Sequence, residues 1–163
     1  MTEEGKPRRK YYSVEEARKR IEAFCAYQER SHQQVRRKLF LLGMTSTETE
    51  NILTDLITAG FLSEHLFAKA YAGGKFRMKK WGRTRIEQQL RRQGLSTRCI
   101  AVGLKEIDRK DYEKTLRDLL DKKIKTLKGD TQIVIKHKAA RFAIAKGYEP
   151  DLVWKFLGDP ADE

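Results

Sequence analysis

Apolar residues recur along the chain at i, i+3 and i+7, the spacing of helices that bury one face. Val14, Ala17, Ile21, Phe24 and Cys25 define one such face, and Val35, Leu39 and Leu42 a second. Ser63 opens a helix predicted to carry Phe67, Ala70, Tyr71 and Gly74 along one side, and Tyr112, Leu116, Leu119, Leu120 and Leu127 repeat the pattern. No run alternates with turn chemistry in the way a sheet requires. The short β-branched cluster from Ile133 to Ile135 reads as the start of a helix. Capping signals fall at the expected starts: Ser13 with Glu16, Ser31 with Gln34 and Thr45 with Glu48 have capping-box spacing, and Ser96 suits an N-cap.

Three stretches align on a glycine. QVRRKLFLLGMTSTETENILTDL surrounds Gly43, RIEQQLRRQGLSTRCIAVGLKEI surrounds Gly94, and KAARFAIAKGYEPDLVWKFL surrounds Gly147, a period of about 50 residues. Each glycine suits the left-handed position that ends a helix, and the apolar residue after it (Met44, Leu95 or Tyr148) can cover the turn. Pro150 then fits a first helical turn, where its missing N–H costs nothing. The expectation is an all-α chain of nine helices in three tandem three-helix, helix-turn-helix-like repeats. They would span residues 14–62, 63–109 and 110–163 and pack end to end into an elongated, curved array. Residues 1–13, with the polar GKPRRK segment, would form a flexible basic arm.

Charge changes this picture by giving it a direction. The 163 residues carry 35 Lys and Arg against 23 Asp and Glu, a formal net charge of +12. Such a balance points to a polyanionic partner, because clustered cations release counterions on meeting phosphate. The excess is uneven: +2 over residues 1–13, zero over 14–62, +8 over 63–109 and +2 over 110–163. No apolar run approaches the roughly 20 residues of a membrane span. The polar start, Met1 to Lys10, lacks the apolar core of a signal peptide, so a soluble cytoplasmic protein is expected, and it is expected to be a monomer.

Catalytic chemistry finds little support. His32, His65 and His137 fall at unlike positions of the three repeats without ligand spacing, and no metal, cofactor or catalytic residue is expected. Gly73, Gly74 and Lys75 lack the remainder of a phosphate-loop pattern. Cys25 and Cys99 are too few and too far apart for a zinc site or a disulfide framework, and both are taken as reduced. A non-enzymatic binding protein is the expectation.

The densest basic stretch runs through Lys75, Arg77, Lys79, Lys80, Trp81, Arg83, Arg85, Arg91 and Arg92, with Glu87 its one acid. Phosphate neutralisation combined with stacking suits such a mixture. The residues alone leave two places for Trp81, a stacking surface or the inter-helix core. Arg85, Arg91 and Arg92 should project from a helix whose core side is Ile86 and Leu90. The stretch lacks the Asn, Gln or Ser partners of convincing base readout, so backbone or filament binding is favoured over major-groove recognition.

The strings AYQERSHQQVRRKL, LITAGFLSEHLFAKAY and KKWGRTRIEQQLRRQGLS together resemble the RecX family, bacterial regulators of the RecA recombinase. The resemblance rests on Glu29, Arg30 and Ser31; on Lys38, Leu39 and Gly43; on Gly60, Phe61 and Leu62; on Phe67, Ala68 and Tyr71; and on Gly82, Arg85, Ile86, Leu90 and Gly94. It is strong over residues 20–108 and weaker beyond. It implies a helical array that binds the groove of the RecA nucleoprotein filament, contacts neighbouring subunits and DNA, and inhibits ATP hydrolysis and strand exchange. Recombination, DNA repair and the SOS response would be regulated in this way. The alternative is a stand-alone, sequence-independent DNA-binding protein acting on single strands or duplex through the middle repeat.

Overall fold

A computed structural model describes residues 9–158, and among them the chain forms nine α-helices and no strand. In order these are α1 (Val14–Tyr27), α2 (His32–Leu41), α3 (Ser46–Thr58), α4 (Glu64–Lys79), α5 (Arg83–Arg92), α6 (Thr97–Leu104), α7 (Arg109–Thr126), α8 (Gln132–Ala145) and α9 (Pro150–Leu157). None of the described helices is long and apolar enough to cross a membrane. The chain divides into two compact units, one built from Met1–Phe67 with Gln93–Leu95, the other from Ala68–Arg92 with Ser96–Glu163.

The first unit is a bundle of α1, α2 and α3 around Ala17, Ile21, Val35, Leu39, Ile52, Leu53 and Leu56, with Tyr12 and Phe24 packed at its border. Local chemistry sets its helix starts. Ser13, Ser31 and Thr45 each accept the N–H three residues on, while Glu16, Gln34 and Glu48 reach back to the N-cap N–H, closing three capping boxes. Ser31 is fully buried and also donates to Gln93 Oε1 at 3.1 Å. Of the basic arm expected over residues 1–13, residues 1–8 lie outside the described residues. Lys10 and Tyr12 donate their N–H groups to Leu41 O and Leu42 O, and Arg9 donates to Met44 O, so this stretch is tied to the end of α2.

The second unit is built around an aromatic column. Tyr112 packs against both Phe76 and Tyr148, with ring centroids at 5.8 and 5.0 Å, and Ile86, Leu90, Leu116, Leu120, Ala139, Ala143 and Val153 are buried in the same unit. The helix ends follow the glycine register: Gly43, Gly94 and Gly147 have φ of +90°, +79° and +104°. Met44, Leu95 and Tyr148 are buried behind them.

The face of α4 differs from its sequence expectation. Phe67, Ala68, Ala72 and Phe76 are buried, whereas Ala70 is exposed and Tyr71 and Gly74 are half-buried. The reason is a close helix crossing: a Cβ on Gly103 of α6 would lie 2.7 Å from Ala68 O. Small residues select this face, and a pattern keyed to large apolar side chains does not find it. Cys25 is buried and Cys99 half-buried, and neither is bridged.

Candidate nucleic-acid interface

The basic stretch occupies the second half of α4, the turn 80–82 and α5. The turn is built on an unusual backbone: Lys80 has φ +55°, the left-handed conformation that glycine usually takes. Lys80 N–H donates to Phe76 O at 2.9 Å and Trp81 N–H to Lys75 O at 3.3 Å, which satisfies the last carbonyls of α4. Residues of the α8–α9 connection hold the turn in place. Tyr148 Oη donates to Lys80 O at 3.0 Å, and Gly82 N–H donates to Lys146 O at 2.8 Å.

Trp81 is half-buried, between the two places its sequence allowed. Lys75 Nζ lies 5.0 Å from its ring and the Arg85 guanidinium 4.3 Å, so α4 and α5 each set a cation against the indole. Lys75 also lies 5.4 Å from the Tyr71 ring. Burial pushes the Tyr71 phenol up, against the opposing charge of Arg85, and leaves it a neutral hydrogen-bonding group. Lys79 and Lys80 are exposed at the turn beside this pile. The structure thus brings together Lys75, Lys79, Lys80, Trp81 and Arg85, and among the described residues none of the four cations makes an ion pair.

The other members of the stretch are placed differently. Arg77 folds back along α4, where a Cβ on Gly73 would meet its Nη1 at 2.8 Å. Arg91 pairs with Glu87 at 2.8 Å one helical turn away, and Arg92 is exposed. Arg83 turns inward: its guanidinium lies 3.9 Å from the Tyr112 ring centroid and 3.5 Å from Glu149 Oε2. Tyr112 Oη accepts the Arg83 N–H at 3.1 Å and donates to Glu149 Oε1. Burial, reinforced by the Glu149 carboxylate, holds the Tyr112 phenol well above the usual tyrosine range. The fully buried Tyr112 ring and the Glu149 N-cap of α9 give Arg83 a structural position with much of its charge compensated.

One cation of this surface was missed by sequence reasoning. Lys146 Nζ donates to Lys79 O at 3.3 Å, and its ammonium and that of Lys123 lie 5.9 and 5.0 Å from the Phe142 ring. Its signal was its place directly before the repeat glycine Gly147, where the other repeats have Leu42 and Gln93.

His32 Nδ1 lies 2.7 Å from Glu64 Oε1 in the first unit, where burial pushes the imidazole down and the carboxyl up. His137 meets the edge of Trp154 at 5.1 Å. Among the described residues no group of three or more His, Cys, Asp or Glu is placed to hold a metal ion. The arrangement presents cations and ring faces side by side.

Residues 63–104 match the second three-helix domain of RecX, and residues 111–157 match the third. A regulatory protein RecX of Neisseria meningitidis is 32% identical over 136 residues, covering 83% of this chain and 85% of the relative. A second, from Amycolatopsis mediterranei, is 24% identical over 153 residues, covering 91% and 87%. The fold is similar to the crystal structure of RecX from Lactobacillus salivarius, with a TM-score of 0.80 at 17% identity over 88% of this chain and 94% of that one. Another crystal structure of a regulatory protein RecX gives 0.79 at 20% identity over 92% and 72%. Matched domain by domain in its second and third repeats, and along most of its length by such relatives, the chain belongs to the RecX family of regulatory proteins.

Proposed function

We propose that this protein binds the RecA nucleoprotein filament in the cytoplasm and restrains RecA ATP hydrolysis and strand exchange, and so regulates recombination and DNA repair. The observation that carries the reading is the set of cations Lys75, Lys79, Lys80 and Arg85 around Trp81, joined by Lys146, the first four of which make no ion pair among the described residues. A surface of this kind neutralises phosphate, while family membership supplies the regulatory role.

The protein acts by occupying the filament and not by turning over a substrate. Backbone hydrogen bonds fix the turn that presents Lys79 and Lys80, so little ordering is required on binding. Electrostatic steering brings the chain to DNA already coated with RecA, and contacts with several RecA subunits raise affinity through multivalency. ATP turnover belongs to RecA.

The test is a binding comparison between RecA filaments on single-stranded DNA and the same DNA alone, followed across a salt series. The reading expects tighter binding to the filament. Equal affinity for bare DNA, with a log–log salt slope near −3 for about four to five phosphates, would support a stand-alone DNA-binding protein instead.

A further inference from the structure

Residues 14–62 of the first unit carry no net charge, with seven basic and seven acidic residues. Arg18 pairs with Asp55 at 2.7 Å and Arg36 with Glu50 at 2.9 Å, while Glu16 and Glu48 are held in capping boxes. Five other cations remain in this segment, and three of them, Arg20, Arg30 and Lys38, make no ion pair among the described residues. All three line one open cleft of about 390 Å³, together with Phe24 and Tyr27, and no acidic side chain lines it.

The cleft follows from helix geometry. Arg20, Phe24 and Tyr27 are spaced i, i+4 and i+7 on α1, so they form a row beside the face that buries Ala17, Ile21 and Cys25. Lys38 comes from α2 and Arg30 from the α1–α2 connection. The Arg30 guanidinium lies 3.7 Å from the Phe24 ring centroid, its Nε donates to Phe24 O at 3.0 Å, and Lys38 Nζ lies 5.7 Å from the same ring. Arg20 is stacked 4.2 Å from the Tyr12 ring. The cations are therefore held in place by rings. Tyr27, whose ring centroid lies 6.0 Å from the Arg30 guanidinium, is 83% exposed and offers its ring to solvent at the end of the row.

We propose that this cleft is a second nucleic-acid site, separate from the basic surface of the second unit. It takes an unpaired strand, with one base stacked on Tyr27 and flanking phosphates on Arg20 and Lys38. An acidic peptide would use the cations but leave the Tyr27 ring in water, and a duplex keeps its bases stacked on one another. A single strand uses both features, because every base has a π-face for an aromatic platform and every linkage a phosphate for a cation. The proposal requires no RecA and stands apart from the regulatory reading.

The test uses the full chain with Lys75→Glu and Arg85→Glu in place, so that the second unit's surface is already weakened, and a fluorescein-labelled (dT)20 probe read by anisotropy. Adding Tyr27→Ala is expected to weaken binding about fivefold or more. Adding Arg20→Glu and Lys38→Glu instead is expected to reduce the log–log salt slope by about 1.4, for two phosphates released. Unchanged affinity in Tyr27→Ala would overturn the proposal, and this ring is too exposed for its loss to unfold the chain. A glutamate decamer that binds more tightly than (dT)20 and depends on Arg20 and Lys38 would also overturn it, assigning the cleft to an acidic protein segment. A RecA result of either sign leaves this outcome unaffected.

Discussion

Gly82 and Gly147 meet backbone to backbone: a Cβ built on Gly82 would lie 2.2 Å from the carbonyl carbon of Gly147. The pair is locked by Gly82 N–H donating to Lys146 O at 2.8 Å and Thr84 N–H donating to Gly147 O at 3.0 Å. These contacts join the α4–α5 turn to the α8–α9 turn within the second unit. They also hold the cations around Trp81 in register with Lys146.

Gly82→Ala should therefore destabilise the protein. The added methyl group must push two turns apart, an overpacking cost of about 1–3 kcal/mol. Thermal unfolding should show a Tm lower by several degrees, and an unchanged Tm would mean that the two turns are not in contact in solution. Gly147→Ala should be at least as severe, because it adds strain at φ +104° to a contact 2.4 Å from the Arg85 Cβ.

Tyr112→Phe removes a hydroxyl that accepts from Arg83 N–H and donates to Glu149. Two partners are left unsatisfied in a partly buried site, at a cost of about 1–3 kcal/mol. Chemical denaturation at pH 7 checks this.

The same site predicts an alkaline limit. Burial raises the Tyr112 and Tyr148 phenols above the ordinary value, with the negative charge of Glu149 adding to both. The folded protein then holds protons that the unfolded chain releases near pH 10. The stability contributed by these protons is fully present below about pH 10 and is lost as pH rises further toward the folded values. Denaturation midpoints should fall above pH 10, and the fall should be shallower in Tyr112→Phe. A flat profile to pH 11 would contradict the assignment.

Ser31→Ala tests a cap that is also a tie. Ser31 is fully buried, accepts Gln34 N–H at 3.1 Å and donates to Gln93 Oε1 at 3.1 Å. Its loss should cost about 1–2 kcal/mol, at the upper end for an N-cap. Ser96→Ala, at an exposed cap, should cost less. Equal losses would show that the Gln93 bond contributes nothing.

These comparisons also mark what was legible before the structure. Ser13, Ser31, Thr45 and Ser96 were readable as caps because the side chain and its N–H partner lie three residues apart. Gly43, Gly94 and Gly147 were readable because one backbone conformation demands that residue. Gly82 stood out as one position of the family resemblance but not as half of a contact, since its partner is 65 residues away. Arg83 read as one more cation of the basic stretch, because Glu149 and Tyr112 approach it only after folding. Lys146 was hidden by lying outside the charged segment, and the first unit's cleft by a segment charge of zero. Local hydrogen bonding and net charge survive in a linear sequence, whereas the pairing of charges across helices does not.

The placement of the cations predicts unequal effects on binding. Lys75→Glu with Arg85→Glu should weaken binding to RecA filaments or DNA tenfold or more, because both cations lie against the Trp81 ring and, among the described residues, neither makes an ion pair. Arg91→Gln should change it little, since Glu87 already compensates that charge. Arg83→Gln should lower stability before it lowers affinity. Filament cosedimentation alongside thermal unfolding separates the two effects. Equal losses of binding for all three variants, with unchanged Tm, would return Arg83 and Arg91 to the binding surface.

The central claim is tested most directly by RecA-catalysed ATP hydrolysis on single-stranded DNA, measured with the wild-type chain and with Lys75→Glu plus Arg85→Glu. The account predicts that the wild-type chain lowers the rate in a saturable manner and that the variant needs at least tenfold more protein for the same effect. An unchanged rate at saturating wild-type protein would contradict it.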